Sequence, residues 1–512
     1  MHIDARTLPN GTVLEGDLCI VGAGAAGITI AREWIGAKQT VLLLEGGGLT
    51  YEAAMQDLYR GEIVGLPYFP LEAARLHYFG GTTGHWAGFC STFDAIDFEV
   101  RDWVPDSGWP LTRADLDPFY RRAQPVLQLG PYDYAAESWH RRDPAMIALP
   151  LDARAVWTKM WQFSPPARFG TLYRDEIFAA PNVRLYTHAN VCEIEANDSL
   201  AAVQGLRVRQ LDGKELQVRA RHYVLACCSI QNARLLLASN ARAPAGLGNG
   251  HDLVGRYFME HLEIPSGRVA LAPAAARRGM AMYEWTQGVT KARAELALAP
   301  AVQRARRILN ATVSLEPGAP DSVAQSTFQA ITPDVLAAER DSAAQGRSAP
   351  AVTAAPPAAE RFFNAMTRQE QAPNPRSRIS LGAERDALGM PRVRLDWQLT
   401  DLDRRSFAQF YDALGREFGR SGVGRVQVLD WVRSANPGWP KTLSGGWHHM
   451  GTTRMHGDPR RGVVDPDCRV HGLANLSIAG ASVFPTAGAV NPTLTLVALS
   501  LRLSDELKRR LV

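Results

Sequence analysis

Two polar residues near the end of the chain have side chains suited to acid–base chemistry on an alcohol. His448 stands in the segment His-His-Met-Gly-Thr-Thr-Arg, and Asn491 in the segment Val-Asn-Pro-Thr-Leu-Thr. A histidine can accept an alcohol proton near neutral pH, and an asparagine amide can hold the hydroxyl oxygen. Pro492 would set the turn that directs Asn491. A histidine beside a Gly-Thr pair is also a common structural residue, so these residues alone leave both interpretations open.

His449 competes with His448 for the role of proton acceptor. Neighbours in an extended segment point to opposite faces, so only one of the two can face a shared site. The spacing to Gly451-Thr452 favours His448. We therefore predict that His449 is a packing residue with a satisfied side chain.

A glycine-rich turn near the start of the chain is typical of dinucleotide-binding proteins. It follows the apolar segment Leu18–Val21 and carries the G-x-G-x-x-G spacing at Gly22, Gly24 and Gly27. Gly22 permits the tight strand-to-helix turn, Gly24 lets a pyrophosphate approach the backbone, and Gly27 lets the helix pack against the strand. The amino end of the helix, predicted over Ile28–Ile35, would then face the phosphates.

Glu45 completes this unit. It follows the second predicted strand, Val41–Leu44, and lies 18 residues beyond Gly27. An acidic side chain at about this distance accepts hydrogen bonds from both ribose hydroxyls. A carboxylate there would repel the 2′-phosphate of NADP. The unit predicts a dinucleotide with an unphosphorylated ribose and leaves NAD and FAD equally open.

Length and composition narrow the class of protein. A chain of 512 residues predicts two domains. The formal charge of +4 is spread through the sequence without a basic block, so we expect no nucleic-acid partner. The six cysteines lack C-x-x-C spacing, which suits a reducing compartment and predicts neither an iron–sulfur cluster nor another metal site. With no signal-peptide pattern and no apolar run of membrane-spanning length, we predict a cytoplasmic protein without membrane contact.

Strand and helix patterns recur along the rest of the chain. Short alternating segments from Val183 to Leu225, followed by a helix over Ile230–Ala238, predict that the nucleotide sheet is completed far from its start. Strand signals return over Ser377–Trp397, and helices are predicted over Leu402–Phe418 and Leu494–Leu511. The Ala- and Pro-rich stretch at 342–359 reads as a flexible insertion or as plain linker.

Three separated motifs together resemble the glucose-methanol-choline (GMC) flavoprotein oxidoreductases. They are the βαβ unit, the Phe79-Gly-Gly-Thr-Thr loop, and His448-X-Met-Gly-Thr with Asn491-Pro492. The resemblance spans nearly the whole chain and weakens between Leu271 and Asn364. The tail 485–495 is especially similar to the pyranose oxidase branch and its bacterial relatives.

The resemblance implies an α/β fold with two interleaved domains. A Rossmann-type FAD-binding domain would comprise residues 10–266 and 440–512. An α+β substrate domain, built on an antiparallel sheet, would comprise residues 267–439 and carry the insertion near 342–359. Substrate specificity would reside in the region from Gly267 to Trp439.

The resemblance further implies FAD as the cofactor. Gly22, Gly24 and Gly27 would lie at the pyrophosphate, and Glu45 at the adenosine ribose. The other cofactor-binding residues that it implies are Gly80, Gly81, Thr82, His85, Val191, Ala226, Gly480, Ala481, Asn491, Pro492 and Thr493. Val191 would contact the adenine through its backbone, and the loop from Gly80 to His85 would lie along the flavin.

His85 raises a separate question about the cofactor. Some family members hold FAD covalently through a histidine at the position matching Gly-Gly-X-X-X-His, and His85 fits that spacing. Other relatives with a His-Trp pair at this position bind FAD without a bond. Both a covalent link and simple packing against the flavin therefore stay open.

The activity implied by the resemblance is oxidation of a CH–OH group to a carbonyl by hydride transfer to flavin N5. His448 would be the general base and Asn491 the second catalytic residue, with a sugar or glycoside as donor. Oxygen, a quinone or another acceptor would reoxidise the flavin. The alternatives are a small aliphatic or aryl alcohol as donor, and a redox-silent relative that acts as a lyase or only binds flavin.

Overall fold

The structure is a computed structural model, and it describes residues 1–278, 280–284, 290–317, 362–434 and 438–512. The insertion predicted at 342–359 lies outside the described residues. Within the described ranges, no helix combines the length and the apolar character needed to cross a bilayer.

Three sheets with flanking helices make up the described part of the chain. The strands are β1 His2–Asp4, β2 Val13–Val21, β3 Val41–Leu44, β4 Gly61–Ile63, β5 Phe89–Cys90, β6 Val156–Phe163, β7 Val183–Thr187, β8 Asn190–Ala196, β9 Val203–Arg209, β10 Glu215–Leu225, β11 Leu262–Leu271, β12 Lys291–Leu298, β13 Ala311–Pro317, β14 Phe362–Gln369, β15 Arg378–Arg385, β16 Pro391–Asp396, β17 Gly424–Val428, β18 Ser444–Gly445 and β19 Leu476–Ile478. The helices are α1 Ala25–Glu33, α2 Ala53–Asp57, α3 Ala95–Phe98, α4 Arg113–Val126, α5 Ala136–Arg142, α6 Phe169–Leu172, α7 Arg174–Ala179, α8 Cys228–Ala238, α9 Pro273–Arg277, α10 Pro300–Arg306, α11 Asp401–Arg420, α12 Asp430–Arg433 and α13 Thr493–Leu511. Short 3-10 helices lie at Ala5–Thr7, Gly81–Gly84 and Ala481–Val483.

The first sheet has the doubly wound order expected of a nucleotide-binding domain. Its strands follow the order β1-β7-β3-β2-β10-β9-β8, and β19 pairs with β10. The strands from β1 to β10 in that order, and β19, are parallel, whereas β9 and β8 are antiparallel. Every residue of β3 is buried, as in a parallel sheet covered on both faces. The prediction that late sequence completes this sheet is confirmed by β7 to β10 and β19.

The second sheet is antiparallel and follows the order β17-β11-β14-β13-β12-β6-β5, with β18 beside β11. Helix α11 packs on it through a buried stripe that includes Phe407, Phe410, Leu414 and Phe418, at helical spacing. Strands β5 and β6 come from residues 89–163, a part of the chain that the sequence analysis placed in the FAD-binding domain. The division into domains stays a prediction.

Two further elements complete the architecture. A small sheet in the order β15-β16-β4 joins residues 378–396 to the early strand β4. The closing helix α13 packs against α1 and α4, with a buried face that includes Leu494, Val497 and Leu501. Because α13 starts directly after Asn491-Pro492, this packing fixes the position of Asn491 relative to the first sheet.

Candidate active site

The glycine turn after β2 has the geometry that each glycine was predicted to provide. Gly22 has a φ of +102°, in the region that favours glycine. A Cβ on Gly27 would lie 1.9 Å from the Gly22 carbonyl oxygen, so α1 can pack this closely only with glycine there. A Cβ on Gly24 would meet nothing within 4 Å. The turn is tight on its protein side and leaves open space at Gly24, where a phosphate group would lie.

The loop around Gly80 docks onto this turn. The Gly80 amide donates to the Ala23 carbonyl at 2.8 Å, and a Cβ on Gly81 would lie 3.1 Å from the Gly24 Cα. Thr82 lies in the 3-10 helix Gly81–Gly84, and its carbonyl accepts from the His85 amide at 3.2 Å. The two glycine motifs, far apart in sequence, thus form one surface.

An open cavity lies at the carboxyl ends of β2 and β3. It contains three of the predicted cofactor residues, Gly22, Glu45 and Val191. Ala226 lies beside it, and its amide donates to the Val21 carbonyl at 2.7 Å. Other lining residues, which the sequence analysis did not identify, are Tyr59, His77, Arg234, Asp386, Leu388 and Met390.

Glu45 is buried at the edge of this cavity. One carboxylate oxygen accepts from the Ala23 amide at 3.1 Å, and the other from the Gly47 amide at 3.0 Å. Burial raises the pKa of Glu45 to about 7, although these amides favour the ionised form. A carboxylate has about four acceptor positions, so the side chain can also accept from ribose hydroxyls.

A second open turn lies near the end of the chain at Gly480. Its φ is +104°, and a Cβ there would meet nothing within 4 Å. The next residue, Ala481, accepts a hydrogen bond from the Gly451 amide at 3.2 Å. This contact ties the turn to the segment that carries His448.

His448 and Asn491 lie side by side. Asn491 Nδ2 is 3.1 Å from His448 Nε2, and Trp161 Nε1 on β6 donates to Asn491 Oδ1 at 3.3 Å. Pro492 caps α13, and Thr493 is its first residue. The two residues proposed for acid–base chemistry therefore form a pair in space.

Two further residues that hold this pair, Glu260 and His261, were missed by sequence reasoning. His261 Nδ1 lies 2.8 Å from His448 Nδ1. A Glu260 carboxylate oxygen accepts from the His448 amide at 2.6 Å and from the His261 amide at 3.0 Å. Their only sequence signal is a Glu-His pair just before the apolar strand β11, which many strands share.

The histidines of the site are neutral at ordinary pH. Burial is the main cause that lowers the pKa of His448 well below 6.5, and His261, Arg368 and His449 lower it further. Burial also lowers the pKa of His261 to about 3. A neutral imidazole is the form that can accept a proton.

The side chain of His449 is hydrogen-bonded to Tyr68. Its Nε2 lies 2.9 Å from the hydroxyl of Tyr68, which in turn donates to Glu260. Burial lowers the pKa of His449 to about 3. His449 is thus a buried residue whose side chain is hydrogen-bonded.

His85 is buried, and neither of its ring nitrogens has a hydrogen-bond partner among the described residues. Its ring stacks on Trp447 at a centroid distance of 5.3 Å. Burial lowers the pKa of His85 to about 4, so the ring is neutral. A buried imidazole with both nitrogens free fits a position against a bound cofactor.

Two family models match the chain. The model described as "FAD dependent oxidoreductase" matches residues 17–245, and the model described as "GMC oxidoreductase" matches residues 373–500. The chain belongs to the GMC oxidoreductase family. It is an FAD-dependent oxidoreductase, and the open turns at Gly24 and Gly480 and the free ring of His85 fit that cofactor.

The similarity to several curated proteins covers almost the full length of this GMC oxidoreductase. The 6'''-hydroxyparomomycin C oxidase of Streptomyces lividus is 28% identical, over 95% of this chain and 90% of that protein. The fructose dehydrogenase large subunit of Gluconobacter japonicus is 23% identical, over 96% of this chain and 97% of that protein. A crystal structure of formate oxidase, 17% identical, covers 98% of this chain and 99% of its own with a TM-score of 0.58, which supports the predicted fold class.

The likeness to the pyranose oxidase branch is local. The pyranose 2-oxidase of Tricholoma matsutake is 30% identical over 150 residues, which are 28% of this chain and 25% of that protein. The wider family identification rests on the two models and the full-length relatives.

Proposed function

We propose that this GMC oxidoreductase oxidises the CH–OH group of a sugar or glycoside to a carbonyl, with His448 as the general base. The observation that carries the proposal is the 3.1 Å contact between His448 Nε2 and Asn491 Nδ2. Two of the relatives, named for fructose and for a pyranose, support a sugar as donor.

The reacting hydroxyl would lie against both nitrogens and take the place of the direct hydrogen bond between Asn491 Nδ2 and His448 Nε2. The hydroxyl would donate its proton to His448 Nε2 and accept a hydrogen bond from Asn491 Nδ2. The cation formed on His448 would stabilise negative charge developing on the substrate oxygen. Asn491 would fix the oxygen so that the carbon-bound hydrogen has one orientation.

FAD, when bound, supplies the acceptor for the hydride that leaves the carbon. We propose that Gly22, Gly24 and Gly480 hold its pyrophosphate and that Glu45 holds the adenosine ribose. Val191, Ala226 and Ala481 would line the nucleotide. The flavin end would lie among Gly80, Gly81, Thr82, His85, Pro492 and Thr493.

A donor panel tests the choice of substrate. Purified enzyme is mixed anaerobically with sugars and glycosides, and separately with small aliphatic and aryl alcohols, while the flavin absorbance is followed. We expect bleaching by at least one sugar or glycoside, with a carbonyl product detected by mass spectrometry. Faster bleaching by the small alcohols would move the donor to that class, and no bleaching by any donor would favour a redox-silent relative.

The electron acceptor and the cellular location need separate measurements. Reoxidation of the reduced enzyme by oxygen and by a quinone, measured side by side, decides between an oxidase and a dehydrogenase. The relatives include proteins named as each. The cytoplasmic location predicted from the sequence remains a prediction, which cell fractionation would test.

A further inference from the structure

We propose that His261 is a positioning residue that fixes the tautomer of His448, so that the Nε2 electron pair is available for the substrate. The inference rests on the proposed function only for its catalytic consequence. The tautomer itself follows from the directions of five hydrogen bonds.

The first constraint comes from the outer nitrogen of His261. His261 Nε2 lies 2.9 Å from the Gly488 carbonyl oxygen and 3.2 Å from the Ala487 carbonyl oxygen. Carbonyl oxygens only accept hydrogen bonds, so this nitrogen must carry the proton. Because His261 is fully buried and neutral, its Nδ1 is left with an electron pair.

The second constraint determines which nitrogen of His448 carries the proton. The two Nδ1 atoms are 2.8 Å apart, a distance at which one nitrogen must donate and the other accept. His261 Nδ1 is the acceptor, so His448 Nδ1 carries the proton. In the neutral ring of His448, Nε2 then holds the electron pair.

A third constraint reaches the same tautomer independently, from the other side of the ring. Trp161 Nε1 can only donate, so the atom of Asn491 that it contacts at 3.3 Å must be the amide oxygen. The amide nitrogen of Asn491 therefore faces His448 Nε2 and donates to it. The opposite tautomer would set two N–H groups against each other at Asn491 and two electron pairs against each other at His261.

Glu260 holds the two rings at this spacing. The same carboxylate oxygen accepts from the backbone amides of both His261 and His448. The two histidines, which are far apart in sequence, are thus positioned by one side chain. His448 therefore has the tautomer needed for proton transfer before the substrate binds, and no proton has to move between its two ring nitrogens.

Two substitutions at His261 separate tautomer control from general packing. H261N places an amide oxygen near the position of Nδ1, so it can still accept from His448. H261Q places its amide near the position of Nε2, so it can still donate to the Gly488 carbonyl but cannot accept from His448. We expect H261N to keep most of the anaerobic flavin-reduction rate and H261Q to lose about tenfold, the effect of one lost hydrogen bond, with equal flavin content. Equal loss in both variants would overturn the proposal.

A spectroscopic measurement tests the tautomer without reference to activity. In wild-type holoenzyme labelled with ¹⁵N in its histidine rings, the His448 signals are assigned by their loss in H448Q. We expect a protonated Nδ1 and an unprotonated Nε2, and a protonated Nε2 would overturn the proposal. If no alcohol reduces the flavin while the expected tautomer is seen, the proposed function fails and the tautomer assignment stands.

Discussion

Burial sets the protonation of the acid–base residues in this site. His448, His261 and His449 are all enclosed, and burial is the first cause of the lowered pKa of each. A base in this environment stays neutral because burial disfavours the charged imidazolium. Its two ring nitrogens differ only through the hydrogen bonds that His261 and Asn491 make to them.

The pH dependence of flavin reduction follows from the lowered pKa of His448. A base is active above its pKa and is lost as the pH falls through it, so a lowered pKa extends activity to more acidic pH. We expect the anaerobic reduction rate to show no fall centred near pH 6.5 and to fall only well below that pH, where His448 is protonated. A fall centred at or above pH 6.5 would show that the base is more exposed than the structure indicates.

The free, neutral ring of His85 predicts a covalent bond to the cofactor. An imidazole with an unshared electron pair is buried in the loop that docks on Gly24. It would bond to a carbon of the bound flavin in place of a hydrogen, and the two electrons released would pass to the acceptor that reoxidises the flavin. We expect the yellow colour to remain with acid-precipitated wild-type protein and to be released from H85A. Substitution of His251, an exposed histidine, serves as the control. Colour in the wild-type supernatant would show that His85 only packs against the flavin.

At the scale of elements, the turn between β2 and α1 is closely packed at Gly27 and open at Gly24. A Cβ on Gly27 would lie 1.9 Å from the Gly22 carbonyl oxygen, whereas a Cβ on Gly24 would meet no atom within 4 Å. A Cβ at Gly27 would therefore disturb the packing of α1, whereas a Cβ at Gly24 would only fill open space. The two glycines of the motif thus meet different requirements.

A matched pair of alanine variants tests this separation. We expect G27A to lower the free energy of unfolding by about 1–3 kcal/mol, because the helix must move away from the strand. We expect G24A to fold with a melting temperature above that of flavin-free G27A but to purify with little FAD. Thermal unfolding by circular dichroism and the ratio of flavin to protein absorbance measure the two effects. Full flavin content in G24A would contradict the placement of the pyrophosphate.

The elements that the sequence predicted well are those whose signals are local. The unit from Leu18 to Glu45 has its strand, turn, helix and acid in consecutive order, and β3 was predicted with the bounds observed, Val41–Leu44. The helices differ at their ends, since α1 begins at Ala25 rather than Ile28. Helix ends depend on individual hydrogen bonds, which a pattern of apolar residues does not specify.

The partners of His448 could not be predicted, because they arrive from other parts of the chain. His261 comes from the segment that enters β11, and Trp161 from β6. Neither has a distinctive neighbour in sequence, and both depend on the pairing order of the antiparallel sheet. Asn491 was identified through its resemblance to the family motif, whereas Trp161 lies in a strand that carries no motif.

At the scale of the whole molecule, the candidate site joins the two large sheets. Asn491 is held from the nucleotide-binding side by α13, which packs on α1. It is held from the antiparallel sheet by the hydrogen bond from Trp161. The orientation of its amide therefore depends on the contact between the two sheets.

Replacing the indole of Trp161 tests this coupling. W161F keeps the aromatic packing but removes the donor to Asn491, so the amide is free to rotate. We expect roughly a tenfold fall in the anaerobic reduction rate, the effect of one hydrogen bond of about 1.4 kcal/mol. W157F, on the same strand, is the control, because its indole nitrogen has no partner among the described residues. Equal rates in W161F and wild type would show that Asn491 is oriented by other contacts.

The most direct test of the account is anaerobic stopped-flow reduction of the flavin by the best sugar donor in wild-type, H448A and H449Q enzymes. We predict that H448A keeps its FAD and loses reduction by about 100-fold or more, since a general base contributes that much. H449Q, which keeps a donor toward Tyr68, should reduce at close to the wild-type rate. Unchanged reduction in H448A, or a larger loss in H449Q than in H448A, would contradict the assignment of His448 as the base.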